Sequence, residues 1–153
     1  MATEKIIIGS DHAGYHLKEA IKQYLAEGGR EITDVGTFCT DNTDYPDFAI
    51  SLGQKVSSGE FSRGILICGS GVGMAIVANK FPSVRAVLCL DEDTAGMSRL
   101  HNDTNILVLA GRRTDKEMAK AITATWLKTE FAGGRHQRRL DKIRDLEKRL
   151  CGG

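Results

Sequence analysis

No excess of charge marks this sequence: 21 lysines and arginines stand against 20 aspartates and glutamates in 153 residues. A balanced chain has no overall basic field to draw it onto nucleic acid or an anionic membrane, so neither is expected as a partner. Any charged ligand must be met locally. Long apolar runs are missing as well. Nothing approaches the roughly 20 apolar residues of a membrane span, and the opening Met-Ala-Thr-Glu-Lys lacks a signal peptide's basic stretch and apolar run. A cytoplasmic location is expected. The four cysteines, Cys39, Cys68, Cys89 and Cys151, form no CxxC pair, and a chain of this length needs no disulfide staple. All four are read as reduced thiols. There is no internal repeat, low-complexity stretch or linker, and 41% hydrophobic residues can fill one core, so residues 1–153 are read as a single domain.

What is present is alternation. Short β-branched or apolar runs at Lys5 to Ile8, Glu31 to Val35, Gly64 to Cys68, Ala86 to Leu90 and Asn105 to Ala110 read as five strands. Helix-compatible segments lie between and after them: Tyr15 to Glu27, Phe48 to Ser57, Val72 to Lys80, Thr94 to His101 and Lys116 to Thr129. This order predicts an α/β fold of three layers, with a five-stranded parallel sheet between helices. In such sheets ligands gather beyond the carboxyl ends of the strands, which places weight on the loops beginning at Gly9, Gly69 and Gly111. A tail helix over 138–150 carries one apolar stripe, Leu140, Ile143, Leu146 and Leu150, on an otherwise charged surface. The stripe fits either a second subunit or the chain's own domain.

Ile65-Leu-Ile-Cys68-Gly-Ser-Gly-Val-Gly73 reads as a buried strand entering a glycine-rich turn and then a helix from about Val72. Three glycines in five residues let the backbone approach a ligand and aim its amides inward. At a helix start those amides favour negative charge, including that of a thiolate at Cys68. A small buried residue ending a strand is the plainer reading of Cys68. The familiar nucleotide and hydrolase patterns fail. GxGxxG would need glycine where Ile76 stands, and a P-loop would need lysine where Tyr15 stands. A C-x5-R phosphatase would need arginine in place of Met74, and GxSxG would need glycine in place of Cys68.

Asp11 and His12 follow the first strand, where such a sheet presents ligand contacts. His12 and His16 are four apart and could share a helix face as metal ligands, but no third ligand accompanies them. Arg135 and Arg139 are one helical turn apart and Arg112 ends the fifth strand; arginine forks suit phosphate oxygens, though a solvated basic face would look the same. Tyr45 closes a polar loop, Thr40 to Asp44, long enough to overhang a site.

Six motifs in order, Gly9-Ser-Asp-His-Ala-Gly14, Thr43-Asp-Tyr-Pro46, Cys68-Gly-Ser-Gly-Val-Gly73, Ala78-Asn-Lys80, His101-Asn-Asp-Thr-Asn105 and Gly133-Gly-Arg-His-Gln-Arg138-Arg139, closely resemble the type B ribose-5-phosphate isomerase family. The resemblance spans nearly the whole chain. It implies a Rossmann-like homodimer, or a tetramer of two such dimers, that interconverts ribose 5-phosphate and ribulose 5-phosphate with no metal or organic cofactor and with sites at the subunit interface. By that resemblance Cys68 is the base, the Gly69, Ser70, Gly71, Val72 and Gly73 segment holds the enediolate, and Ser70 relays protons between sugar oxygens. His101 opens the sugar ring with Asp11 nearby, Asn102 contacts substrate, and Tyr45 lines the site. His12, Arg112, Arg135 and Arg139 match binders of phosphate and sugar, some of them from the partner chain. Some members lack the cysteine and carry a glutamate at the position of Met74 instead, so this chain looks like the cysteine subtype. The family also acts on galactose and allose 6-phosphates, and a sensing module that kept the fold without catalysis is the alternative from another class.

Overall fold

The computed structural model describes residues 4–152. Five strands form one wholly parallel sheet: β1 (Lys5–Ser10), β2 (Glu31–Asp34), β3 (Arg63–Cys68), β4 (Ala86–Leu88) and β5 (Ile106–Ala110), in spatial order β2-β1-β3-β5-β4. Six helices accompany them: α1 (Tyr15–Glu27), α2 (Tyr45–Ser57), α3 (Val72–Ala78), α4 (Glu92–Asn102), α5 (Lys116–Lys128) and α6 (Arg135–Cys151). The central strands β1, β3 and β5 are buried on both faces, as their unbroken apolar runs require. Ile6, Ile8, Ile65, Ile67, Leu107 and Leu109 pack against α1, α4 and α5, where Trp126 is fully buried. Ile7, Leu66, Cys68 and Val108 face α2 and α3 through Leu52, Val56 and Met74. The period of two along each strand separates these sets, so the predicted three-layer α/β/α arrangement follows directly.

Several boundaries differ from the sequence reading. β1 continues through Gly9 to Ser10, so the loop at its end starts at Asp11. α2 begins at Tyr45 rather than Phe48, because Pro46 lacks an N–H and its fixed φ suits a first helical turn. α6 begins at Arg135, three residues before the expected start. β4 stops at Leu88, and its outer edge is covered by a side chain: Asn79 Nδ2 donates to Ala86 O (2.9 Å) and Asn79 Oδ1 accepts from Ala86 N (2.8 Å). That pair supplies ladder hydrogen bonds which a sixth strand would otherwise provide.

The tail stripe divides. His136 and Leu140 are buried against the domain, whereas Ile143, Leu146 and Leu150 remain 42%, 46% and 74% exposed beside a groove of about 470 Å³ that Val84 and Val87 also line. The strand order fixes where loops can converge. From β1 the chain passes by α1 to β2 on one side, then by α2 to β3 on the other, so the ends of β1 and β3 flank a topological switch point.

Candidate active site

A cavity of about 380 Å³ opens at that switch point, lined by Asp11, His12, Ala13, Tyr45, Cys68, Gly69, Ser70, Gly73, Arg112 and Arg113. The loops after β1, β3 and β5 all reach it, and backbone hydrogen bonds hold them together. Asp11 N donates to Ile67 O (3.2 Å), Gly111 N to Cys68 O (2.7 Å) and Arg112 N to Gly69 O (3.0 Å). The Arg112 side chain lies across Gly69. Asp11 is buried, and its Oδ1 accepts from Gly14 N (3.0 Å), a bond that turns the chain into α1. The same carboxylate therefore borders the cavity and starts a helix.

Cys68 ends β3 buried, and its Sγ accepts from Gly71 N at 3.2 Å. Gly71 reaches that position in the left-handed region, φ 79°, which strongly favours glycine. Ser70 Oγ accepts from Val72 N at 3.3 Å, which leaves its hydroxyl hydrogen free to donate. Two of the amides expected to hold an anion are thus engaged within the loop, one on the sulfur itself. The sulfur therefore has a hydrogen-bond donor on one side and the cavity on the other. Cys89, just past the end of the edge strand β4, is the contrast: burial, reinforced by Asp91, pushes its thiol up to about 12. Thiol burial alone leads to an inert group; Cys68 differs by its amide and its cavity.

His12 accepts at Nδ1 from Thr43 N (3.1 Å) while its own backbone N donates to Thr43 Oγ1 (3.0 Å). His12 lies in the turn before α1 and His16 within it, so the two do not share a helix face, and among the described residues no group of three or more His, Cys, Asp and Glu side chains is arranged to hold a metal ion. Tyr45 opens α2 and lays its ring against Gly73, where an added methyl would stand 2.5 Å from ring carbons. Val72 projects outward from the first turn of α3 and is largely exposed.

Four of the expected site residues lie elsewhere. In a parallel βαβ unit the helix runs back to the amino end of the next strand, so His101 and Asn102, ending α4, lie at the edge of the sheet opposite Cys68. His101 stacks on His136 with ring centroids 4.3 Å apart and planes 15° apart, and Arg135 and Arg139 flank His136 on α6. Burial, then the neighbouring His101, Arg135 and Arg139, hold the His136 imidazole below the ordinary histidine range. Asn102 borders the groove under α6. The chain thus carries two separate clusters: a thiol with its carboxylate, histidine and arginines, and a histidine stack with two arginines. Arg113, Thr43 and His136 were not read as site residues from sequence. The doublet Arg112-Arg113 after a strand end was the available signal for the first, whereas the other two depend on contacts between distant segments.

Fold and site together define an α/β protein of the Rossmann-like class with a cysteine and glycine loop at the switch point. The sequence profile of the Ribose/Galactose Isomerase family matches residues 6–143, and the chain belongs to that family. It is 46% identical over 146 residues to ribose-5-phosphate isomerase B of Escherichia coli (strain K12), covering 95% of this chain and 98% of that protein. Among solved structures, Clostridium thermocellum ribose-5-phosphate isomerase B superimposes with a TM-score of 0.93 at 49% identity, covering 95% and 99% of the two chains. Ribose-5-phosphate isomerase B from Mycoplasma genitalium with bound ribulose 5-phosphate gives 0.92 at 41% identity, covering 97% and 99%.

Proposed function

We propose that this chain is an aldose-ketose isomerase that interconverts ribose 5-phosphate and ribulose 5-phosphate. The observation that carries the reading is the Cys68 sulfur, held by the Gly71 amide at a cavity that Asp11, His12, Ser70 and Arg112 also border. On the open-chain aldose, the Cys68 thiolate takes the proton from C2, and the electron pair moves to O1 to give a 1,2-enediolate. Ser70 passes the O2 proton to O1, and the Cys68 thiol returns its proton to C1, leaving a ketone at C2. Loop amides and Arg112 supply the positive field for the oxyanion, the interaction that strengthens as charge develops.

Ribose 5-phosphate is mainly a closed ring, so an acid and base must first open it, and His101 is the residue assigned to that step. Because its cluster lies across the sheet from Cys68, a complete site takes His101, Asn102, Arg135 and Arg139 from a second copy. The half-exposed residues Val72, Ile76, Met97, Leu100, Ile143 and Leu146 supply apolar surface for such a homodimer. No helix among the described residues is long and apolar enough to cross a membrane, and the free thiols fit a reducing cytoplasm.

Purified protein is expected to convert ribose 5-phosphate without added metal, and Cys68→Ala to lose at least about a thousandfold in kcat while still binding substrate. Binding without turnover by the wild-type protein would instead favour a sensing module. A higher kcat/KM on allose 6-phosphate or galactose 6-phosphate would reassign the sugar.

A further inference from the structure

The loop between β2 and α2 ends at Tyr45, which lines the cavity, and from Phe38 to Tyr45 every residue but one is exposed. The exception is Thr43, and it is tied to His12 by two reciprocal hydrogen bonds spanning 31 positions of sequence. A backbone N–H can only donate. The ring nitrogen facing the Thr43 amide must therefore be an unprotonated acceptor, and in the neutral imidazole the remaining proton sits on Nε2.

We propose that Thr43 is a positioning residue that fixes His12 as the Nε2–H tautomer and presents that N–H to an anionic oxygen of the substrate. The threonine acts twice. Its amide selects the tautomer, and its hydroxyl, accepting from His12 N, fixes the backbone from which the ring projects. His12 is thereby a neutral donor, a role that complements Arg112 and Arg113 on the same cavity and keeps it apart from proton abstraction. The same pair docks an otherwise solvated loop whose far end, Tyr45, rests on Gly73. The proposal deepens the isomerase reading and rests on it for the identity of the anion; the tautomer itself does not depend on that reading.

Protein labelled with 15N-histidine is examined by long-range 15N–1H correlation, and the same samples are assayed for ribose 5-phosphate turnover. Wild-type His12 should show a protonated Nε2 and an unprotonated Nδ1. In Thr43→Val the amide remains but the hydroxyl that holds it in register with the ring is lost, so the amide should disengage, His12 should populate both tautomers and KM should rise about five- to tenfold, with kcat changing less than about twofold. Thr43→Ser should restore both readouts; Thr43→Ala replaces the valine variant if that one does not fold. A protonated Nδ1 in the wild-type protein overturns the proposal, as do variants whose His12 signals and KM match wild type. Absence of turnover in the wild-type protein would sink the isomerase assignment alone, because the tautomer is measured on free protein.

Discussion

Gly73 shows how one residue can shape a site through the side chain it lacks. It stands in the first turn of α3, where alanine would ordinarily stabilise a helix by about 1 kcal/mol. Here the Tyr45 ring occupies the space of its missing methyl. Gly73→Ala is therefore expected to lower stability, by about 1–2 kcal/mol net, because the clash outweighs the gain in helix propensity. Urea denaturation checks the size, and adding Tyr45→Ala should recover the stability but leave KM raised. Asp11, His12, Cys68 and Ser70 were legible as site candidates because each lies at or within two residues of a strand's carboxyl end. Tyr45 was not separable from a surface turn by sequence, since its meaning lies in a ring resting on a glycine 28 positions away.

At the level of elements, an ion pair joins α1 to β2 beneath the site. The Lys18 side chain is fully buried, and its Nζ reaches Asp34 Oδ2 at 2.7 Å, Oδ1 at 2.8 Å and Thr37 O at 2.6 Å. Burial by itself pushes the Asp34 carboxyl up, but donors from Lys18, Lys22 and the Gly36 amide outweigh it and hold the group below the usual carboxylate range. As pH falls the unfolded chain takes up the proton first. The stability from Asp34 is accordingly complete above the unfolded value of about 3.9 and is lost as pH drops through that value toward the lower folded one. Asp34→Asn should cost about 3 kcal/mol at pH 7 by leaving a buried ammonium with only the partly exposed Glu19, 3.5 Å away, as counter-charge, and should flatten the acid limb of stability against pH. Lys18→Met should cost less, since Lys22 and the Gly36 amide still serve Asp34. Chemical denaturation at pH 7 and in the acid range tests both. Apolar periodicity placed the strands and helices, but it carries no information on which charged residue is drawn inside. Nor could it distinguish structural from chemical motif residues: Asn79 braces β4, and Asn105 joins Arg85 N (2.8 Å) and Ser83 O (2.8 Å) at the same edge.

For the whole molecule, the separation of Cys68 from His101 has a direct consequence under the proposed dimer. A mixture of Cys68→Ala and His101→Ala proteins, unfolded and refolded together, should regain about a quarter of wild-type activity, since half the dimers are mixed and each has one intact site. Each parent alone should stay inactive on the cyclic sugar, and a charge such as Ile76→Asp on the apolar face should block recovery. Activity assays with sizing by gel filtration measure both. Failure to regain activity while mixed dimers form would place the two residues in one chain's site or remove His101 from the reaction.

Sequence alone determined the sheet, its helices, the cysteine-glycine loop and the family, because these depend on local periodicity, turn chemistry and ordered motifs that a linear chain displays. It placed Arg135, Arg139 and His101 beside Cys68 only as residues of one list. Tertiary structure decided that they form a second cluster across the sheet, because each parallel crossover returns the chain to the opposite edge. It also decided the Thr43 and His12 pair and the Tyr45 contact with Gly73. Those depend on the packing of segments far apart in the chain, which no local pattern records.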